Sequence, residues 1–357
     1  MNTTPVFLDT KPVSYVIGDQ ALPFSSKLVD RYPRYVFLVD ENTREHCLKV
    51  FLQFLPQVPV DDLICIQSGE KGKNLNQALF AWNELTRLSV DRDALMINLG
   101  GGVLTDIGGF VAATYKRGID FINFPTTLLG MVDAAIGGKT GIDLGKLKNQ
   151  IGLFVDPVSV VIDPVFLKTL EDKEWQSGFA EVLKYGLILD KELWNWLEGK
   201  NYHDIVSWNK IIIRAARDKI DIVRYDFEEK GVRKNLNFGH TVGHAFESFF
   251  LKQNTPISHG QAIAAGMICE TWLSTKLTEM ECTCLNEIEA MIDKNFERLP
   301  IKEEDIPLIM DLMRQDKKVR EGKLRFSLLK KLGKAKHDIE VSTDLVLDSI
   351  HYYIDKG

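Results

Sequence analysis

Residues 237–244 read Asn-Phe-Gly-His-Thr-Val-Gly-His, so His240 and His244 stand four apart, about one helical turn. The chain has only seven histidines, and a third, His259, follows in Ser-His-Gly. Neutral imidazole suits a transition metal or a proton relay. Arg233 and Asn237 precede the pair and supply donors for an anionic substrate. Further back, 177–186 reads Ser-Gly-Phe-Ala-Glu-Val-Leu-Lys-Tyr-Gly. Helical spacing puts Glu181 and Lys184 on one face, among Phe179, Val182, Leu183 and Leu187. A carboxylate in such apolar company needs a cation; Lys184 or a metal meets that need. A catalytic zinc takes three protein ligands and keeps one position open. Glu181 and two of the three histidines would supply that set, and spacing does not say which two. No glutamate follows His240, so the zinc-protease pattern fails.

A second group lies in the first half. Gly100, Gly101 and Gly102 follow an apolar run and lead into Val103-Leu104-Thr105-Asp106. Glycines at a strand-to-helix turn let backbone amides approach a phosphate. The spacing is not the dinucleotide fingerprint, so a nucleotide role competes with a plain tight turn. Asp40 ends an earlier apolar run, where it can take ribose hydroxyls or cap the next helix. Residues 132–149 set Asp133, Lys139, Lys146, Lys148 and Asn149 among glycines, which reads as a loop for phosphate or carboxylate. A P-loop needs glycine six residues before Lys139, and Asp133 stands there. That excludes the ATPase reading.

These groups need a frame. Tyr-Val-Phe-Leu-Val-Asp, Asp-Leu-Ile-Cys-Ile, Ala-Leu-Met-Ile-Asn-Leu, Asp-Phe-Ile-Asn-Phe and Val-Ser-Val-Val-Ile alternate with helical stretches. Such buried β-branched runs imply a parallel sheet with helical crossovers. Beyond about Asp163 helical periodicity dominates, with one late hairpin expected near Arg325 and His337. The expected fold is an α/β domain over 1–165 and a mostly helical domain over 166–357. The chain has 357 residues, 45% of them hydrophobic, enough for two cores. A net charge of −6 argues against a nucleic-acid partner, while local lysines still suit a small anion. Five scattered cysteines argue against a disulfide framework. No apolar run is long enough for a membrane span and no targeting signal is evident, so a cytoplasmic protein is expected.

Four segments in order, Gly-Gly-Gly-Val-Leu-Thr-Asp-Ile-Gly-Gly-Phe from Gly100, Phe-Pro-Thr-Thr-Leu-Leu-Gly-Met-Val-Asp from Phe124, Ser-Gly-Phe-Ala-Glu from Ser177 and Arg-Lys-Asn-Leu-Asn-Phe-Gly-His from Arg233, resemble the 3-dehydroquinate synthases, among the sugar phosphate cyclases. The likeness runs from about Val36 to about Phe326. It implies a Rossmann-like NAD-binding α/β domain, a helical metal-binding domain, and a homodimer. The implied metal, Zn2+ or Co2+, sits on Glu181, His240 and His259, which leaves His244 to the substrate. NAD would meet Asp40, Glu70 and Lys73, then Gly101 to Asp106 (Val103, Leu104 and Thr105 included), then Thr126 and Thr127. Lys139, Lys148 and the stretch Phe166, Leu167, Lys168, Thr169 lie close to it in this reading. The substrate would meet Asp133, Lys139, Asn149, Lys184, Lys219, Arg233, Asn237 and His244, with Lys317 or Lys318 joining. Among these Asp133, Lys139, Arg233 and His244 carry the catalysis. Arg117 would serve the partner subunit. Asp143, Gly130 and the absence of proline after Leu170 depart from the usual pattern, without removing a charged or metal-binding residue.

The implied reaction converts 3-deoxy-D-arabino-heptulosonate 7-phosphate to 3-dehydroquinate and phosphate, in the shikimate pathway to aromatic amino acids. It is a carbon–oxygen lyase reaction: transient oxidation by NAD, phosphate elimination, reduction, ring opening and aldol closure. The competing readings are a related cyclase on another heptulose phosphate and a metal- and NAD-dependent polyol dehydrogenase.

Overall fold

The computed structural model describes residues 4–10, 12–145, 147–316 and 324–356. They form two compact units, Met1–Glu171 with Ser207–Phe227, and Asp172–Val206 with Glu228–Gly357.

Along the chain come β1 (Val6–Asp9), β2 (Ser14–Ile17), β3 (Tyr35–Asp40) and β4 (Asp62–Ile66). Helix α1 (Leu75–Arg87) leads to β5 (Leu95–Gly100), α2 (Gly102–Thr114) and β6 (Asp120–Pro125). A hairpin of β7 (Lys139–Leu144) and β8 (Leu147–Phe154) precedes β9 (Ser159–Ile162). Seven strands form one sheet in the order β1-β2-β9-β6-β5-β3-β4. Only β1 and β2 pair antiparallel in it. Every residue of β5 is buried, as expected of a parallel strand covered on both faces.

From β3 the chain steps outward to β4 and then back past β3 to β5. That reversal opens a crevice beyond the strand carboxyl ends, where such sheets bind ligands. Asp40 ends β3 and Gly100 ends β5, so the two sequence signals flank one crevice.

Two expectations are corrected here. In the glycine-rich stretch 132–149, expected as a loop, Lys139–Leu144 instead pairs antiparallel with Leu147–Phe154. Ile142 pairs with Ile151 and is buried in the cluster under α2, so burial outweighs glycine's bias against strands. The division also differs from a single cut at 165. The first unit runs to Glu171 and regains Ser207–Phe227. After α3 (Asp172–Ile188) in the second unit, α4 (Asn209–Tyr225) lays Ile212, Ala215, Ala216 and Ile220 into the first. It packs against the turn Gly130–Ala134. An apolar helical stripe covers a sheet domain as well as it joins a bundle, so periodicity could not assign it.

In the second unit α5 (His240–Lys252) crosses α6 (His259–Leu277), which also packs on α3. Helix α6 is buried almost all round from Gly260 to Ser274. The expected late hairpin is β10 (Leu324–Lys331) with β11 (Lys334–Val341). The cysteines are free. Among the described residues no helix is long and apolar enough to cross a membrane.

Candidate active site

The second unit brings Glu181, His240 and His259 together. Glu181 is fully buried on α3. Its two carboxylate oxygens have separate partners. Oε2 pairs with Lys184, one turn on and itself 1% exposed. Oε1 faces His259 Nε2 at 3.2 Å and His240 Nε2 at 3.5 Å. Lysine and metal were alternatives from sequence; the geometry has room for both, one on each oxygen. His240 Nδ1 lies 3.0 Å from the Phe238 carbonyl. Donation there leaves the Nε2 lone pair aimed at Glu181, the arrangement of a metal-bound imidazole. Burial pushes the His240 pKa well below that of free imidazole, with Lys184 acting the same way. Burial works to raise the Glu181 pKa, but Lys184, His240 and His259 outweigh it and hold the carboxyl well below its usual range. An anionic carboxylate and two imidazoles, with ligand atoms within 4.8 Å of one another, fit Zn2+ or Co2+.

His244 is nearby, its ring centroid 5.2 Å from that of His240 and 6.3 Å from that of His259. With Glu247 and His259 it forms a second group of the same reach. Only the first group contains a fully buried carboxylate, the member least able to remain charged without a cation. The turn Val232–Asn237 buries Arg233 to 2% exposure. Asn237 Nδ2 donates to Glu229 Oε1 at 2.7 Å. Sequence reasoning missed Glu229, which sits in an ordinary charged stretch with no spacing signal. It also missed Glu270, buried on α6 and gripping the start of α5. Lys317 and Lys318 lie outside the described residues.

In the first unit α2 begins with Gly101, and neither a side-chain cap nor an acidic first-turn residue occupies that end. A Cβ at Gly102 would come 2.7 Å from Ala134 Cβ. Thr126 N donates to the Gly100 carbonyl, and Thr127 Oγ1 accepts from Gly130 N. Lys73, 4% exposed, donates to Asp106 Oδ2 at 2.5 Å and Asn149 Oδ1 at 2.6 Å. Burial would lower its pKa, but Asp106 and Glu70 raise it, so the ammonium stays charged. Asp143 takes up the Asn149 amide at 2.7 Å, so this departure from the usual pattern has a local use. Lys148 faces Glu70 at 3.3 Å. Lys219 on α4 pairs with the Asp133 carboxylate and also donates to its carbonyl at 2.7 Å.

Other residues are placed less tellingly. Asp40 caps the helix that follows it, accepting from Thr43 N at 2.8 Å, so the capping alternative is realised. Phe166 and Leu167 are core residues, leaving Lys168 and Thr169 exposed. Lys139 and Arg117 are exposed, and Arg117 has φ of 68° in the turn after α2.

Solved structures share the fold. The chain matches 2-deoxy-scyllo-inosose synthase, complexed with carbaglucose-6-phosphate, NAD+ and Co2+, at TM-score 0.85 and 22% identity, covering 98% of this chain and 100% of that one. It matches 2-epi-5-epi-valiolone synthase from Streptomyces hygroscopicus subsp. jinggangensis 5008, with NAD+ and Zn2+ bound, at TM-score 0.84 and 24% identity, covering 98% and 99%. Family models narrow this. That of the 3-dehydroquinate synthase N-terminal part matches residues 63–177, and that of the C-terminal part 178–319. The 3-dehydroquinate synthase of Parabacteroides distasonis is 38% identical over 328 residues, 90% of this chain and 92% of that protein. The chain belongs to the 3-dehydroquinate synthase family.

Proposed function

We propose that the protein catalyses its family's reaction, conversion of 3-deoxy-D-arabino-heptulosonate 7-phosphate to 3-dehydroquinate and phosphate in the shikimate pathway. The observation that carries this is the shared carboxylate of Glu181, one oxygen on Lys184 and the other facing His240 and His259. NAD belongs to the first unit, at Gly101, Gly102 and Asp106; Zn2+ or Co2+ belongs to the second, on Glu181, His240 and His259. When bound, NAD would supply reversible hydride acceptance for a secondary alcohol, and the metal would supply Lewis-acid polarisation of its hydroxyl.

The chain's own residues hold the substrate and move its protons. Arg233, buried and planar, suits the substrate carboxylate through two parallel hydrogen bonds. Lys139 and Asn149 contribute cation and amide donors to the phosphate. Lys219 fixes the Asp133 carboxylate in one orientation, and a fixed carboxylate can pass a proton at the reacting carbon. His244 stands one turn from His240 and serves the neighbouring oxygen. Asn237 is oriented by Glu229. In this reading the enzyme is a cytoplasmic homodimer whose Arg117 reaches the partner's substrate.

The test is product analysis. Incubation with the heptulosonate phosphate should give 3-dehydroquinate and one phosphate per turnover with no net NADH. NADH accumulating without phosphate would identify a polyol dehydrogenase instead. Equal turnover of a heptulose 7-phosphate lacking the carboxylate would point to a related cyclase.

A further inference from the structure

Helix α5 starts without a local cap. Its N-cap is Gly239, in the left-handed conformation at φ 80°, and no side chain of its own turn caps it. A helix start leaves about four amides without helical partners. Here three of them donate to Glu270 on α6: Gly239 N to Oε2 at 2.7 Å, Thr241 N to Oε1 at 2.9 Å and Val242 N to Oε1 at 3.1 Å. Glu270 is fully buried. A carboxylate with these donors lies at the positive end of the helix dipole, which favours its charge.

The two helices also meet backbone to backbone. A Cβ at Gly266 would sit 2.0 Å from the Gly239 carbonyl oxygen and 2.7 Å from Gly243 N. One at Gly239 would sit 2.6 Å from Met267 Cγ. The first turn of α5 therefore has one seat on α6. His240 is the first residue of that turn, and His259 is the first residue of α6. The Phe238 carbonyl that orients His240 lies just before it.

We propose that Glu270 is a positioning residue for the metal centre: its carboxylate clamps the His240 turn to α6 and so sets the spacing between the His240 and His259 nitrogens. The inference rests on the metal reading of Glu181, His240 and His259. Ligand nitrogens on separate helices must be held to within about 0.5 Å for a tight site, and partners behind the ligands are worth about 10- to 100-fold in metal affinity. Glu270→Gln keeps the size but sets an amide N–H against backbone N–H groups.

The experiment is zinc competition against a chromophoric chelator, using full-length protein, with visible spectra of the Co2+ form. Wild type should hold one metal, and E270Q should bind it about 10- to 100-fold more weakly with an altered Co2+ spectrum at saturation. Ser274→Ala is the control for stability. Ser274 lies one turn further on α6, where its hydroxyl accepts Leu329 N at 2.9 Å. S274A should lower the melting temperature and leave metal affinity within about twofold. If E270Q does not fold, Glu270→Asp, which keeps the charge but withdraws it by one methylene, is read the same way. Unchanged affinity and spectrum in the folded Glu270 variant would overturn the proposal, as would an equal loss of affinity in S274A. A wild type that holds no metal would sink the metal reading itself, and the clamp with it.

Discussion

Helices α2 and α5 both begin at a glycine with no side-chain cap of their own. At α5 a buried carboxylate from α6 takes up the amides. At α2 no acidic residue stands in the first turn, and the helix starts beside the sheet's reversal point. The same local sequence device therefore has two uses. An N-terminus filled from within fixes a helix, and whatever that helix carries; one left open offers its amides and dipole to an anion. The proposed NAD site and the proposed metal centre follow that division.

The largest effects should come from the filled end. His240→Ala should abolish metal retention together with activity. His244→Ala should keep the metal and lower kcat by about 10²- to 10⁴-fold, the usual worth of a proton-transfer group. Metal analysis of both variants decides this; equal loss would mean that both histidines hold the ion, and loss in His244→Ala alone that the group of His244, Glu247 and His259 holds it instead.

The far end of α2 sharpens the contrast, because Arg117 follows it in an exposed turn. Arg117→Ala and His244→Ala proteins should each be nearly inactive alone. Mixed dimers should regain up to about half the activity of a normal dimer, since one site then carries both lesions and the other none. No recovery, with mixed dimers shown to form, would place Arg117 in its own subunit's service.

At the open end, Gly102→Val should weaken NAD binding by at least about tenfold by blocking the backbone's approach. Its metal content should stay unchanged, since that centre belongs to the other unit. Titration of NAD fluorescence quenching would measure it, and unaltered affinity would break the parallel between the two glycine-led helices.

The smallest effect is on the pH dependence of the metal-free protein. His240 has a lowered pKa in the folded state, so below about pH 6.5 the unfolded chain binds a proton that the folded one refuses. Stability is present above that pH and falls as the pH drops, by at most about 1.4 kcal/mol per unit. Glu181, also lowered, adds a loss of the same sign below about pH 4.3. Urea unfolding at pH 7 and pH 5.5 should show the first slope, and His240→Gln should flatten it.

Much of the frame is legible in the chain. Strands β3, β5, β6 and β9 are short apolar runs, a pattern that follows from burial on both faces of a parallel sheet. The candidate ligands are legible too, because Glu181, His240, His244 and His259 have the right chemistry and helical spacing. Sequence alone could not place the hairpin at 139–154 or assign α4, since both depended on which surface was free to bury an apolar face. Nor could it choose between His240 and His244 as the partner of Glu181, because one turn of helix separates them by a few ångströms and only the crossing of α5 over α6 aims one ring at the carboxylate. Glu270 lay furthest out of reach. Its partners are backbone amides 28 to 31 residues away, and amides are the same in every residue but proline, so no pattern of side chains could have announced them.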